Sequence, residues 1–311
     1  MHSRAPLRVA AALTAPAIRP GTGDDVPRLW RIFYDTEYQG RPSPPPRTPV
    51  PPYFRHEVEA GRVWIAEVAG EAVGFAALFL RSDIGFLSDL FVDPRHQSLG
   101  IGRRLLDRLL SGGARCYCAL SSSDPRALSL YVRAGMRPRW PHYQLTATVD
   151  GLRGTSPSGV SILAAAPNDG EILEWDGRIG GRERPEDHAF WRAAFGATPV
   201  WVRRRGTTIG YAYVRIGRSA ADTHPSVMLG PIGADSPPDA ADCVAALVMW
   251  AREQGEAVKV AIPGPHPALP HLLAAGFRIR YAETFVSSCS HPFCDPTTYA
   301  PGAGLEGSTF F

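Results

Sequence analysis

Apolar and polar positions alternate with two periods along this chain. From Asp24 to Gln39 the apolar residues Trp30, Ile32 and Phe33 sit among charges at helical spacing, and Tyr53 to Ala60 reads as a second, shorter helix. Ile101, Leu105, Leu106, Leu109 and Leu110 lie on one face of a helix ending near Leu110, and Pro125 to Ala134 forms another. Strand spacing appears at Ala17–Pro20, at Ile84–Val92, in "ARCYCALS" and in "YQLTATV". "RVWIAEVAGEAVGFAAL", from Arg62, reads as strand, turn, strand around Ala69-Gly70. "GRPSPPPRTPVPP" is a stiff extended loop, because proline fixes φ and removes a donor. Helices alternate with strands in places and hairpins follow one another in others, so the fold class is α/β with a mixed sheet.

The pattern occurs twice. Val63-Trp64-Ile65 returns as Val200-Trp201-Val202, and Val73-Gly74-Phe75-Ala76 as Ile209-Gly210-Tyr211-Ala212. "ALSLYVRAGM" from Ala127 returns as "ALPHLLAAGF" from Ala268. Three matched segments in one order, at offsets of 137, 136 and 141 residues, predict two copies of one domain. The expected layout is a structureless leader over residues 1–16, a first copy over 17–149, a linker over 150–160 and a second copy over 161–311. The Gly/Ser/Pro-rich run "DGLRGTSPSG" supplies the linker. A length of 311 residues agrees with two cores.

Composition narrows the function by exclusion. A formal charge of +3 without a basic stripe gives no support for nucleic acid as a partner. No apolar run reaches the length that spans a membrane, so no membrane partner is expected. "MHSRAPLRVAAALTAPA" is too short and too alanine-rich in its apolar part to favour a signal peptide, so a cytoplasmic location is expected. Of the five cysteines, Cys116 and Cys118 share one face of a strand and cannot bridge each other. Cys289 and Cys294 flank His291, too thin a set for zinc, so no metal is expected and the cysteines read as idle thiols.

The chemistry concentrates in "DLFVDPRHQSLGIGRRLLDRLL", Asp89 to Leu110, where a strand enters a glycine-bearing turn that opens a helix. Such turns bring backbone N–H groups close to phosphate oxygens at the positive end of a helix. The P-loop and the dinucleotide fingerprint are both excluded: no Lys-Ser/Thr pair follows, and Leu105 stands where a third glycine is needed.

The order of elements and two motifs together resemble the Gcn5-related N-acetyltransferases, the GNAT superfamily. Its [R/Q]-x-x-G-x-[G/A] motif stands as Gln97-Ser98-Leu99-Gly100-Ile101-Gly102 after Val92-Asp93-Pro94. Its N-x-x-A-x-x-x-Y-x-x-x-G-F motif stands as Asp124-Pro125-Arg126-Ala127, then Tyr131, then Gly135-Met136, with Asp124 in place of asparagine and Met136 in place of phenylalanine. The resemblance covers roughly residues 17–149, and the second copy matches in architecture only.

The resemblance implies acetyl-CoA as the acyl donor and the primary amine of a small molecule as the acceptor. Backbone groups of Ser98, Leu99, Gly100, Ile101, Gly102 and Arg103 are expected to cradle the pyrophosphate, with Gln97, Asp124 and Ala127 beside it. Leu90, Phe91 and Val92 are expected to offer strand hydrogen bonds to the pantetheine. Tyr131 stands at the family's general-acid position. Polyamine acetyltransferases read L-E-D-[LI]-[FY]-V on this strand, and here Ser88 replaces the glutamate while Asp89 remains. Asp89 is the candidate to bind or deprotonate the amine, and regular strand alternation turns Ser88 to the opposite face. Tyr34, Asp35, Glu37, Tyr38 and Ser88 are the candidate acceptor contacts. Shifted by 141, Gly100, Gly102 and Tyr131 fall on Ala241, Cys243 and Leu272, so the second copy is expected to be degenerate and to shape the acceptor site. A non-catalytic acyl-CoA-binding module is the competing reading. A monomer with internal pseudo-dimer symmetry and a homodimer both stay open.

Overall fold

The computed structural model describes residues 15–44, 46–47, 49–166, 169–217 and 225–302. The first half runs β1 (Ala17–Pro20), α1 (Val26–Glu37), α2 (Pro52–Ala60), β2 (Arg62–Val68), β3 (Glu71–Arg81), β4 (Ile84–Val92), α3 (Ile101–Leu110), β5 (Cys116–Ser121), α4 (Pro125–Arg133) and β6 (Arg137–Thr148). The second runs β7 (Val160–Ala164), α5 (Gly170–Gly180), α6 (Pro185–Phe195), β8 (Thr198–Arg204), β9 (Thr207–Gly217), β10 (Ser226–Ala234), α7 (Pro237–Ala251), β11 (Ala257–Pro263), α8 (Ala268–Ala274), β12 (Arg278–Ser287) and β13 (Tyr299–Ala300). Strand–helix order repeats from one half to the other. The leader expected over residues 1–16 falls outside the described residues except for its last two.

The strands form one mixed sheet, in the order β1-β2-β3-β4-β5-β12-β6-β11-β10-β9-β8-β7, with β13 against β10. The pairs β4–β5 and β10–β11 are parallel. The two halves exchange their last strands. β12 enters between β5 and β6, and β6 pairs on its other edge with β11. The sequence predicted a last strand starting near Tyr143; it starts at Arg137, because its first residues pair with β12, from a segment about 140 residues away in the chain.

Each helix docks by its apolar stripe. Val26, Leu29, Trp30 and Phe33 of α1 and Phe54 of α2 are buried against Ile65 and Phe75 on one face of the sheet. Ile101, Leu105, Leu106 and Leu109 of α3 are buried with Ala76, Leu87 and Tyr131 on the other. Phe75 and Ala76 are neighbours in β3, so the strand period of two sends them to opposite cores.

The cysteine expectation is corrected here. Cys116 and Cys289 are not idle thiols but form a disulfide, at a Cα–Cα distance of 5.1 Å, since the exchanged β12 brings residue 289 beside β5. Among the described residues, Cys118, Cys243 and Cys294 are free and buried. No described helix is long and apolar enough to cross a membrane, and no described group of His, Cys, Asp and Glu residues could hold a metal ion.

Candidate active site

β4 pairs with β5 only over Ile84–Leu87 against Cys116–Ala119. Beyond Leu87 it stays bonded to β3 through Val92 while its other edge turns away from β5. Leu90, Phe91 and Val92 therefore border an opening in the sheet. Val92 is partly committed, because its carbonyl accepts from Gln97 Nε2 at 3.0 Å and from Thr36 Oγ1 at 3.3 Å.

The turn after β4 leads to the same opening. Ser98 and Gly100 both take left-handed backbone, with φ of 64° and 78°. Left-handed residues in a turn fold successive N–H groups toward one point, which suits an anion. A Cβ on Gly100 would meet nothing within 4 Å. One on Gly102 would meet only Leu130 Cδ2 at 3.7 Å and Val92 Cγ2 at 3.8 Å, which is ordinary contact. The fold itself does not need a bare backbone at Gly102, and the missing side chain leaves room for a ligand to approach the chain. Arg103 at the helix start is exposed and Leu99 projects half-exposed from the turn, while Ile101 is a core residue at 2% exposure. The residues present thus fit a phosphate-bearing acyl carrier.

Asp124 caps α4, accepting from the Arg126 N–H at 2.8 Å, and pairs with the Arg126 guanidinium at 2.7 Å. Arg126 also reaches Gln97 Oε1 at 3.2 Å, so Gln97 and Asp124 are tied together at the rim. Ala127, one turn further on, packs against the core beneath.

Two protonatable groups flank the opening from opposite faces of the sheet. Tyr131, on α4, is 5% exposed; burial first, then the charges of Asp89 and Glu283, push its phenol up, so it holds its proton at neutral pH. Asp89, on the face covered by α2, is 7% exposed and accepts from the Tyr53 hydroxyl at 3.0 Å. Burial lifts its carboxyl well above the usual range, against the pull of the Tyr53 and Glu57 hydrogen bonds.

The expectation that Ser88 points away from Asp89 is overturned. The β3–β4 register slips between Ala77↔Asp89 and Leu78↔Leu87, leaving Ser88 as an extra residue in β4. A bulge breaks the alternation, and Ser88 turns to the α2 face. There its hydroxyl donates to Glu57 Oε1 at 2.5 Å. Glu57 is completely buried, and sequence reasoning missed it. A glutamate on the apolar face of α2, three residues after Phe54, was the available signal.

The remaining acceptor candidates divide. Asp35 is ion-paired with Arg47 at 2.7 Å and Tyr34 lies under the same guanidinium at 4.8 Å, so that carboxylate is already compensated. Tyr38 packs at a tilt against Tyr34, at a centroid distance of 4.9 Å, and carries Arg41 over its ring. Glu37 meets Arg41 at 3.4 Å and acts electrostatically on Glu283. Glu283 belongs to the exchanged strand β12, one residue beyond the Thr284↔Ser121 pair with β5. Burial lifts it to about 7, although Gln144 Nε2 donates to it at 3.2 Å. The second half thus brings a carboxylate to within electrostatic range of Tyr131, which no local signal announced.

In the second half the corresponding opening is filled. β10 pairs with β11 only over Ser226–Leu229. Past that point Ile232 and Gly233 pair with Ala300 and Tyr299 of β13, the chain's own later segment. The offset of 141 is corrected at the helix start. Ser236 caps α7 as Gly100 caps α3, so the residues in the cradle are Ser236, Pro237 and Pro238, not Ala241 and Cys243. Two prolines have no N–H to offer a phosphate. Asp239 and Asp242 are bound by Arg204 at 2.5 Å each. On α5, Asp176 is locked by Arg184 at 2.7 Å, by His188 at 2.9 Å and by the Tyr211 hydroxyl at 2.5 Å.

Comparison with known proteins agrees with this geometry. Residues 26–136 match the acetyltransferase (GNAT) family. A mycothiol acetyltransferase of Amycolatopsis mediterranei (strain U-32) is 30% identical over 154 residues, which are 48% of this chain and 49% of that protein. The chain thus spans about half the length of that curated relative. A putative acetyltransferase from Pyrococcus horikoshii superposes with a TM-score of 0.70 at 21% identity, covering 96% of both chains. A tandem GNAT protein from the clavulanic acid biosynthesis pathway superposes at 0.57 with 16% identity, over 89% of this chain and 99% of that one. The similarity to the acetyltransferase (GNAT) family thus lies in the first half of the chain, over residues 26–136.

Proposed function

We propose that this protein moves an acetyl group from acetyl-CoA to the primary amine of a small cationic molecule, in one active site in its first half. The observation that carries the reading is the opening between β4 and β5, with a glycine cradle at its rim and Asp89 and Tyr131 on its two sides. Acetyl-CoA supplies an activated thioester. The Ser98–Arg103 backbone and Arg103 hold its pyrophosphate, and Leu90 and Phe91 offer their free edge to its pantetheine arm. Asp89 accepts a proton from the amine, since an ammonium with a pKa near 10 cannot attack a carbonyl. Tyr131 donates a proton to the departing sulfur. The two events support each other: the charge on Asp89 helps hold the Tyr131 phenol up, so a proton arriving on Asp89 makes Tyr131 a better acid. Glu283, ionised in part at neutral pH, adds negative charge at the mouth of the opening, which favours a cation.

The test is thiol release from acetyl-CoA across a panel of polyamines, amino sugars and amino-acid amides, with product mass to locate the new amide. Turnover with a small amine supports the reading. Tight CoA binding with no turnover on any amine would instead favour a non-catalytic acyl-CoA-binding module.

A further inference from the structure

We propose that Glu57 is a positioning residue for the proton acceptor: it holds one proton between itself and Asp89, and so tunes Asp89 to take the next one from the amine. The inference rests on the acetyl-transfer reading above and adds a residue that no motif marks.

Glutamate is almost never fully buried unless paired, and Glu57 has no exposed surface. Its Oε1 accepts from the Ser88 hydroxyl, and its Oε2 is buried with no hydrogen-bond donor. Asp89 receives the Tyr53 hydroxyl. Two buried carboxyl groups therefore share two hydroxyl donors. Two ionised carboxylates in that setting would leave an unpaired charge inside the protein, at a cost larger than two hydroxyl hydrogen bonds return. A single proton on Glu57 Oε2, directed at Asp89, removes the second charge and supplies the missing bond. Burial, then the Asp89 charge, raise the Glu57 carboxyl, in the same sense. The pair titrates as a unit.

The surroundings keep that proton in place. Around the pair stand Tyr53 from α2, Ser88 from β4, the Tyr131 phenol from α4 and, across the opening, the Glu283 carboxylate of β12. His56, beside Glu57 in sequence, is turned away to Asp187 at 3.0 Å and stacks on Phe190 at a centroid distance of 4.0 Å. The second half thus anchors the helix that carries Glu57.

Proton accounting fixes the role. An ammonium has three N–H bonds and its amide has one. Asp89 takes the first proton, and the pair, then neutral, passes it to water only after the sulfur has left. The nitrogen forms its bond to the acetyl carbon and the carbon–sulfur bond breaks. Tyr131 protonates the sulfur and is restored by the second proton leaving nitrogen. The pair returns to one proton and one charge.

Glu57→Gln keeps the shape and removes the shared proton. The low-pH limb of kcat/KM should hold its place, because a neutral amide stands in for the protonated Glu57 while burial still lifts the Asp89 carboxyl. A second readout needs no substrate. Groups whose folded pKa is raised stabilise the fold below their unfolded pKa and lose that contribution as pH rises through the folded one. Wild-type urea midpoints should therefore fall between about pH 4 and the higher pH at which the pair ionises, and Glu57→Gln should flatten that fall. Ser88→Ala, which strips the donor from Oε1 without touching either carboxyl, should keep the fall. The infrared band of buried carboxylic acid at pH 7 should be weaker in Glu57→Gln than in the wild type, since Asp89 and Glu283 still contribute to it. An unchanged slope and an unchanged band would overturn the proposal even if acetyl transfer is found. A lost slope with no amine acetylated would keep the pair and refute the reaction instead.

Discussion

Gly102→Glu should stabilise the fold and abolish acyl-CoA binding, two opposite effects from one side chain. Gly102 is the second residue of α3, and a Cβ there meets its neighbours at 3.7 and 3.8 Å, so the fold has room. Replacing a helical glycine recovers about 0.5–1 kcal/mol. A carboxylate in the first turn adds about 0.3–1 kcal/mol by facing the positive end of the helix. The same charge would stand where a pyrophosphate is expected. A pair of unit charges 4 Å apart repels by roughly 4 kcal/mol at the effective dielectric of a protein surface. Allowing for solvent, about 2–4 kcal/mol remains, which is a roughly 30- to 1,000-fold weaker Kd. Calorimetric titration with CoA and thermal unfolding measure the two effects on one sample. Gly102→Ala separates bulk from charge: it should share the stabilisation and lose much less affinity. Higher salt should narrow the gap between Glu and Ala. CoA bound by Gly102→Glu as tightly as by wild type would refute the cradle.

Three further outcomes are expected. Tyr131→Phe should keep its affinity for CoA and lose turnover by roughly 10²–10⁴, the usual share of general-acid transfer, and an unchanged rate would reduce Tyr131 to a packing residue. Because β13 fills the opening beside β10 and Pro237 and Pro238 lack N–H groups, calorimetry should count one CoA per chain; a stoichiometry of two would contradict the degenerate second half. Asp176→Asn should destabilise the second half by about 3–5 kcal/mol, since it leaves the fully buried Arg184 without its charge partner, as read by urea unfolding at pH 7. Burial alone would raise the Asp176 carboxyl, but Arg184 and His188 overrule it and hold it far below its usual range. This contribution is therefore complete above about pH 4, the unfolded carboxyl value, and fades only as pH falls further below it.

The sequence by itself determined most elements of the first half, the repetition and the glycine turn of the candidate site. β1 and β4 have the bounds that period and punctuation predict, and the glycine turn was legible because left-handed backbone and bare N–H groups demand particular residues at particular spacings. Tyr131 was legible through its place in a motif. Three things needed the tertiary structure. The exchange of β6 and β12, and with it the Cys116–Cys289 bridge and the arrival of Glu283, depends on pairings between residues over 130 positions apart, which period cannot encode. The bulge at Ser88 depends on how β3 and β4 slip past each other, and it reversed a face that alternation had assigned. Glu57 looks like any helical glutamate until α2 docks and removes its water; its chemistry comes from burial beside Asp89, a property of the packed site and not of the residue.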